Sequence, residues 1–178
     1  MRLRSLRKRE RALIVIAVVI VVFSVISARL FLWPPTDSPA SVDAVVALGG
    51  DPGQRNAYEA IALADSGYAP IAVISLGGEP PAPCPRSRKI RVACFRANPL
   101  DTRGEAEYVA TLAAHHGWTR LIIVPERTQT TRARLLFERC TTATLLWVPV
   151  SDPVSRLAYD VVYEWAALFK ALVVKPAC

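Results

Sequence analysis

The chain has 178 residues, of which 52% are hydrophobic and 21% are charged, so it can form one compact domain plus an appendage. The net charge of +7 is concentrated in the first eleven residues, which carry +5 and leave +2 for the rest. This distribution excludes a nucleic-acid-binding domain, which would need basic residues clustered on its folded part. The N-terminal charges come from Arg2, Arg4, Arg7, Lys8, Arg9 and Arg11, opposed by Glu10.

An apolar run at residues 12–28 predicts a membrane anchor. Its sequence, ALIVIAVVIVVFSVISA, contains twelve Leu, Ile, Val or Phe residues. Together these favour insertion into a bilayer by about 4–7 kcal/mol. With Arg29 snorkelling, the span extends over residues 12–33. The basic excess before the run places the N-terminus in the cytoplasm and the remaining chain outside it. The alternative is a signal peptide cleaved after Val25-Ile26-Ser27.

The rest of the chain alternates apolar runs with helical segments. Residues 1–11 form a basic cytoplasmic tail, and residues 34–41 form a Pro-rich linker before an α/β domain at 42–178. We predict a Rossmann-like three-layer sandwich with a mainly parallel sheet, preceded by one transmembrane helix. The expected strands are 42–48, 71–76, 121–124 and 143–150, with a strand-like piece at 90–95 inside an irregular insertion at 79–99. The expected helices are 51–66, capped by Asp51 with Pro52 at its first position, 102–116, 128–140 and one from Asp152-Pro153 to about residue 174.

Four cysteines fit an exported domain. The sequence has no CxxC motif and no His pair at zinc-finger spacing, so we predict no metal site. An even cysteine count in an oxidising compartment indicates disulfides, with three possible connectivities. We favour Cys84–Cys94, which closes a short basic loop, and Cys140–Cys178, which ties the last residue to a helix end. The alternative is four buried thiols.

Polar segments follow the predicted strands at 48–55, 76–80, 101–105 and 125–132. Ligands bind beyond the carboxyl ends of parallel strands, where the strand order reverses. If the four main strands lie in the order second, first, third, fourth, the first and last of these segments face each other. The basic residues at 86–91 are expected at the same edge.

The residue types in these segments suit an anionic ligand. Gly49 and Gly50 let a ligand approach the backbone, and Arg55, Arg103 and Arg132 could bind phosphate or carboxylate near helix N-termini. The acids placed for proton transfer are Asp51 and Glu105. A purely structural interpretation also remains open. Asp51, Thr102, Glu105 and Thr128 can each serve as helix caps worth about 1 kcal/mol, and residues 48–55 match neither GxGxxG nor a P-loop.

The chain resembles the YdcF-like family, which includes SanA- and ElyC-related envelope proteins, and in particular an exported actinobacterial-type branch. The resemblance covers residues 42–174. It rests on DAVVALGG followed by Arg55, LGG followed by Glu79, DTRGEA at 101–106, and a strand with a polar turn before Arg132-Ala133. The Cys94-Phe95 pair, ARLLFERC at 133–140 and the terminal Cys178 point to the exported branch.

The resemblance implies a Rossmann-like domain on a single anchor, linked to cell-envelope integrity and to peptidoglycan or lipid-carrier metabolism, with a nucleotide-like ligand. The ligand-binding positions that it implies are Gly49, Gly50, Arg55, Gly78, Glu79, Thr102, Glu105 and Arg132. The family pattern VTSxxHxxRA is VPERTQTTRA here, so Glu126 stands at the Ser position and Gln129 at the His position. A Gln amide does not titrate, so Gln129 can bind a ligand but cannot transfer a proton.

Two functions follow from these observations. The first is an extracytoplasmic domain that binds or processes a phosphorylated or nucleotide-like ligand, with Glu105 or Asp51 as acid or base. The second is a non-catalytic envelope binding or scaffold protein that has lost the family His. The expected partners are the bilayer and an anionic small-molecule or lipid-linked ligand, with no nucleic acid, and the sequence identifies no cofactor.

Overall fold

The structure, a computed structural model, describes residues 8–51, 53–78, 81–174 and 177–178. Residues 1–7 of the basic tail, Pro52 and the site candidate Glu79 lie outside the described residues. The helices are α1 (Lys8–Ser27), α2 (Arg55–Asp65), α3 (Thr102–His116), α4 (Thr130–Cys140) and α5 (Leu157–Phe169), with π-helical turns at Ala28–Leu32 and Lys170–Val174. The strands are β1 (Ala44–Ala47), β2 (Ile71–Ser75), β3 (Arg91–Phe95), β4 (Arg120–Val124) and β5 (Thr144–Trp147).

The five strands form one parallel sheet in the order β3-β2-β1-β4-β5. The four main strands therefore lie in the order under which the first and last polar segments face each other. The strand-like piece of the insertion is β3, which extends the sheet beyond β2. The chain runs outward in one direction from β1 to β3 and in the other from β4 to β5. The order therefore reverses between β1 and β4, which is where a ligand crevice is expected.

Helices cover both faces of the sheet. Alternate strand residues point to opposite faces, so both faces carry apolar side chains that the helices bury. Val45 and Ala47 pack with α2, whereas Val46 and Leu48 pack with α3 and α4 on the other face. Strands buried on both faces read as continuous apolar runs, and all four residues of β1 are fully buried. The described chain is thus an α/β fold in three layers.

α3 has the predicted bounds, whereas α2, α4 and α5 begin later than the capping patterns predict. α2 starts at Arg55, with Gln54 as its N-cap at a φ of 53°, rather than at Asp51. Asp51 still accepts hydrogen bonds from the N–H groups of Gly53 (3.1 Å) and Arg55, but it does so from a separate turn.

Tertiary contacts displace the other predicted caps. The N-cap of α3 is Asp101, which accepts from the N–H of Gly104 at 3.0 Å, rather than Thr102. α4 starts at Thr130 rather than Thr128, and α5 starts at Leu157 rather than after Asp152. Thr128 and Asp152 bond each other instead, with both the N–H and the hydroxyl of Thr128 donating to the carboxylate at 3.1 and 3.2 Å.

The Pro-rich linker is docked on the domain. Asp37 donates its N–H to the carbonyl of Trp147 and accepts from the N–H of Trp147, both at 2.9 Å, so the linker covers the edge strand β5. Arg134 donates to the carbonyl of Pro35 at 2.9 Å. These contacts therefore fix the position of the linker between α1 and the domain.

Both favoured cysteine pairings are confirmed. Cys84 is bonded to Cys94, and Cys140 to Cys178. The first pair ties the insertion to β3, and the second ties the chain end to the last residue of α4. Two disulfides suit an oxidising compartment.

Candidate functional site

A cleft of about 350 Å³ opens at the carboxyl edge of the sheet, where the strand order reverses. We call it the main cleft. Its walls come from the turns after β1 and β2, the first turn of α3, the polar turn after β4, and α4 and α5. Seven of the sequence-predicted site residues line it: Gly49, Gly50, Gly78, Thr102, Glu105, Gln129 and Arg132.

The glycine turns form the floor of the main cleft because their backbones approach each other closely. A Cβ added at Gly77 would lie 2.7 Å from the backbone nitrogen of Gly50, a distance that real Cβ atoms do not show. Gly50 itself has a φ of 100°, which an L side chain rarely adopts. The double glycines are therefore required by this packing, whether or not a ligand is bound.

Glu105 connects α3 to the glycine floor. Its Oε1 accepts from the N–H of Gly49 at 2.7 Å, so the carboxyl turns toward the sheet rather than back to its own helix start as in a capping box. Burial raises the pKa of Glu105 above its ordinary value, although hydrogen bonds from Ser75 and Gly49 act in the opposite direction. This predicted acid is thus a buried carboxyl at the cleft wall with a raised pKa.

Gln129 joins the polar turn to α3. Its Nε2 donates to the hydroxyl of Thr102 at 2.9 Å, and the residue is 7% exposed. Its Oε1 is buried and has no hydrogen-bond partner among the described residues. A buried amide oxygen without a partner is costly, so Gln129 presents an acceptor for a ligand donor or a water.

Glu126 is a carboxyl of the main cleft whose pKa lies near neutrality. Burial, together with the nearby carboxylates of Asp152 and Asp51, raises its pKa from 4.5 to about 7. Arg55 donates to it at 3.0 Å, and this contact does not offset those causes. Sequence reasoning noted Glu126 only as a departure from the family Ser. Its pKa is suited to an acid or base because of burial and of the carboxylates of Asp152 and Asp51, which are distant in sequence.

The three arginines proposed for an anion do not converge. Arg132 lines the main cleft, but both its Nε and Nη2 donate to Glu164 at 2.8 and 2.7 Å in a buried pair. Arg103 pairs with Glu107 and lines a separate groove between α3, α4 and α5. Each arginine already has a carboxylate partner, which lowers its capacity for a free anion.

Arg55 and Asp51 lie beside the main cleft rather than in it. Arg55 contacts Asp51 at 3.3 Å and donates to the carbonyl of Ser151 at 2.6 Å. Asp51 lines a neighbouring cavity of about 320 Å³ that shares Gly49 and Gly50 with the main cleft. The basic insertion residues precede β3 and approach the amino edge, where Ser87 bonds Asp65 at the end of α2, so they do not join the site.

Several cleft residues were missed by sequence reasoning. Ser75 ends β2, Ala97 and Leu100 precede α3, and five further side chains come from α5 or the turn before it: Arg156, Tyr159, Asp160, Tyr163 and Glu164. Asp160 and Glu164 stand four residues apart in an otherwise apolar helix, which was the available signal. Asp160 is 6% exposed, and its Oδ2 has no partner among the described residues.

The described lining of the main cleft is acidic overall. Five carboxyl groups, from Asp101, Glu105, Glu126, Asp160 and Glu164, stand against the guanidinium groups of Arg132 and Arg156. An anionic ligand would therefore bind best when some of these carboxyls are protonated, as the raised pKa values of Glu105 and Glu126 favour. No cluster of three or more His, Cys, Asp or Glu suited to a metal ion occurs among the described residues.

No protein-family model matches the chain, and no curated protein or solved structure matches it at a significant level. The resemblance to the YdcF-like family therefore stays a prediction.

Proposed function

We propose that this chain is a membrane-anchored, extracytoplasmic domain of the YdcF-like kind, which binds and processes a phosphorylated or nucleotide-like ligand of cell-envelope metabolism. The observation that carries the proposal is the position of Glu126 in the main cleft with a pKa of about 7. A carboxyl with this pKa exchanges protons near neutral pH, which is what general acid–base catalysis requires. Such groups concentrate at functional sites.

The membrane anchor is supported by α1 and its continuation. Within the described residues, the helix Lys8–Leu32 is long and apolar enough to cross a membrane, with a window of mean hydropathy 2.8. A signal sequence would share these features. Retention is favoured by contacts that cleavage after Ser27 would remove, since Trp165 stacks on Phe23 and donates to Ser27. The basic N-terminus and the two disulfides favour an extracytoplasmic domain.

The anionic ligand is supported by the amino end of α3. Thr102 and Asp101 at this helix start line the main cleft, and helix N-termini favour negative charge. Gly49, Gly50 and Gly78 allow a ligand to approach the backbone. A protonated Glu126 would donate a hydrogen bond to a phosphate oxygen, so binding near pH 7 should be accompanied by proton uptake.

In the proposed reaction, the protonated Glu126 carboxyl donates its proton to the leaving oxygen as a water molecule attacks the phosphorus and the P–O bond breaks, and it then takes up the proton that this water releases. It thereby replaces the titratable His of the family pattern, whose position is occupied by Gln129. Gln129 then holds the ligand through its unpartnered Oε1. Removing a general acid or base typically lowers turnover by about 10²–10⁴-fold.

The test uses the full-length protein in detergent. Native mass spectrometry would identify any co-purified ligand, and calorimetric titration with inorganic phosphate and a nucleoside diphosphate would measure binding. Glu126→Gln should abolish the pH dependence of binding near pH 7 and any turnover, whereas Glu138→Gln, at an exposed position of α4, should change neither. Full turnover in Glu126→Gln, or no phosphorylated ligand at any pH, would refute the proposal.

The second candidate is a non-catalytic envelope binding or scaffold protein. It is favoured by the bond from Gln129 to Thr102, which uses the amide as a fixed structural contact. Gln129→His separates the two functions. Turnover gained by this variant would indicate an enzyme that lost its catalytic step, and unchanged binding without turnover would favour the scaffold.

A further inference from the structure

Helix α5 buries its charged residues and exposes its apolar ones. Asp160 and Glu164 are the two charged residues within Leu157–Phe169, and they are 6% and 3% exposed, whereas Val162 is 71% exposed. The exposed apolar surface continues through Phe169 into the following π-helical turn, where Val173 is 61% exposed. A helix facing water has the opposite arrangement. An apolar patch of this kind marks a contact surface.

The same helix contacts the proposed membrane anchor. The Trp165 ring stacks on Phe23 with centroids 5.3 Å apart, meets Phe31 edge-on at 5.4 Å, and donates through Nε1 to the hydroxyl of Ser27 at 3.0 Å. Phe23, Ser27 and Phe31 are spaced by four residues and so share one face of the anchor. Phe23 lies five residues before the end of the apolar run at residue 28, about 7.5 Å along the helix axis. If the anchor spans a bilayer, Trp165 lies at the depth of the hydrocarbon.

Other contacts hold the domain in this position. The Thr131 hydroxyl donates to the carbonyl of Leu30, and the linker residue Asp37 is bonded to β5 through Trp147. Cys178 ties the chain end beyond α5 to α4. The apolar face of α5 therefore adjoins the anchor at a fixed place. That face has no exposed charged residue between Leu157 and Phe169, and the exposed Lys170 that follows pairs with Asp101 at 3.7 Å, so apolar surroundings suit the face.

We propose that the exposed face of α5 lies in the outer leaflet of the bilayer that α1 crosses, so that the protein has two membrane contacts. This inference rests on the proposed anchor but not on the identity of the ligand. Tyr159 and Tyr163 are 67% and 53% exposed on α5 and also line the main cleft. Tyr is enriched at membrane interfaces. The main cleft thus opens next to the lipid headgroups and receives its ligand at the membrane surface.

The test is photo-crosslinking of the full-length protein in vesicles of phosphatidylethanolamine and phosphatidylglycerol. Benzoylphenylalanine replaces Val162 or Phe169 on α5, Val19 on the anchor, and Tyr58 as a matched control. Tyr58 is 60% exposed on α2, which covers the opposite face of the sheet. Non-reducing peptide mapping of both disulfides checks the fold of each variant. As a second measurement, the unsubstituted protein is labelled with a photoactivatable lipid, and the labelled peptides are mapped.

We expect lipid adducts at Val19, Val162 and Phe169 at several times the yield at Tyr58, and lipid-labelled α5 peptides in the unsubstituted protein. Adducts at Val19, with Val162 and Phe169 no higher than Tyr58, would overturn the docking of α5 and leave the anchor intact. Absence of adducts at Val19 would overturn both. Crosslinks from Val162 or Phe169 to a second copy of the chain would assign this face to a dimer and also overturn the proposal.

Discussion

The N–H of Gly49 donates to Oε1 of Glu105 over 2.7 Å and joins the turn after β1 to the first turn of α3. This bond spans 56 residues of sequence and places a buried carboxyl at the wall of the main cleft. It makes Glu105 both a structural and a chemical element of the site, and its two roles can be separated by substitution.

Glu105→Ala should destabilise the protein, because the Gly49 N–H loses its partner and Ser75 loses an acceptor. The free energy of unfolding should fall by about 1–3 kcal/mol, the cost of an unsatisfied buried group. Urea denaturation followed by circular dichroism measures this. Glu105→Gln keeps an acceptor oxygen and should restore most of the loss. Equal losses in the two variants would show that the hydrogen bond to Gly49 contributes little.

Glu126 should make stability depend on pH. Its pKa is raised from 4.5 to about 7 on folding, so its contribution is fully present below pH 4.5 and is lost as the pH rises to about 7. Glu126→Gln should flatten this part of the stability curve and should be more stable than the unsubstituted protein at pH 8. Denaturation midpoints at several pH values measure the effect, with Glu138→Gln as the control. A curve unchanged by Glu126→Gln would contradict the raised pKa.

The buried pair of Arg132 and Glu164 should tolerate joint replacement better than the loss of one partner. Arg132→Met leaves the Glu164 carboxylate buried and unpaired, at a cost of about 3–5 kcal/mol. Arg132→Met combined with Glu164→Leu should recover most of this. The more exposed pair of Arg103 and Glu107 is the control, since Arg103→Met should cost less than about 1 kcal/mol. Similar losses of stability from Arg132→Met and Arg103→Met would refute the expected difference between the buried and the exposed ion pair.

The two disulfides should stabilise the domain unequally. In the chain-entropy description, closing the loop between Cys140 and Cys178 contributes about 4 kcal/mol, and the shorter loop between Cys84 and Cys94 contributes about 3 kcal/mol. Replacing each pair by Ser and comparing the free energies of unfolding tests this order. A larger loss from the Cys84–Cys94 pair would show that packing of the insertion, rather than loop length, governs the difference.

Much of the fold was predictable, because parallel sheets impose strong local patterns. Strands buried on both faces are continuous apolar runs, as in β1 and β4, and the helices between them enforce parallel order. The even cysteine count and an exported context indicated disulfides, and the pairing was favoured by the short loop between Cys84 and Cys94 and by the position of Cys140 at a helix end. Helix starts were less predictable, because Asp51 and Thr128 can form hydrogen bonds other than those of a helix cap. Asp51 bonds within the turn before α2, and Thr128 bonds Asp152.

The position of the candidate site was predictable, but the pairing and the pKa values of its charged groups were not. The segments around Gly49, Thr102 and Gln129 converge, as the rule for carboxyl strand ends requires. The partner of Arg132 was not predictable, because Glu164 lies 32 residues away on α5, and the spacing of Asp160 and Glu164 does not say which residue they contact. The pKa of Glu126 likewise depends on Asp152 and Asp51, which only folding brings close.

The sequence by itself determined the alternating α/β order, the apolar N-terminal helix and the edge of the sheet where polar residues gather, because these depend on periodicity and on neighbours along the chain. Only the tertiary structure decided that the arginines are already paired, that Glu126 titrates near neutral pH, and that α5 turns its acids inward. These properties depend on burial and on charges distant in sequence, and the free energy of a charge is set by the groups that surround it after folding.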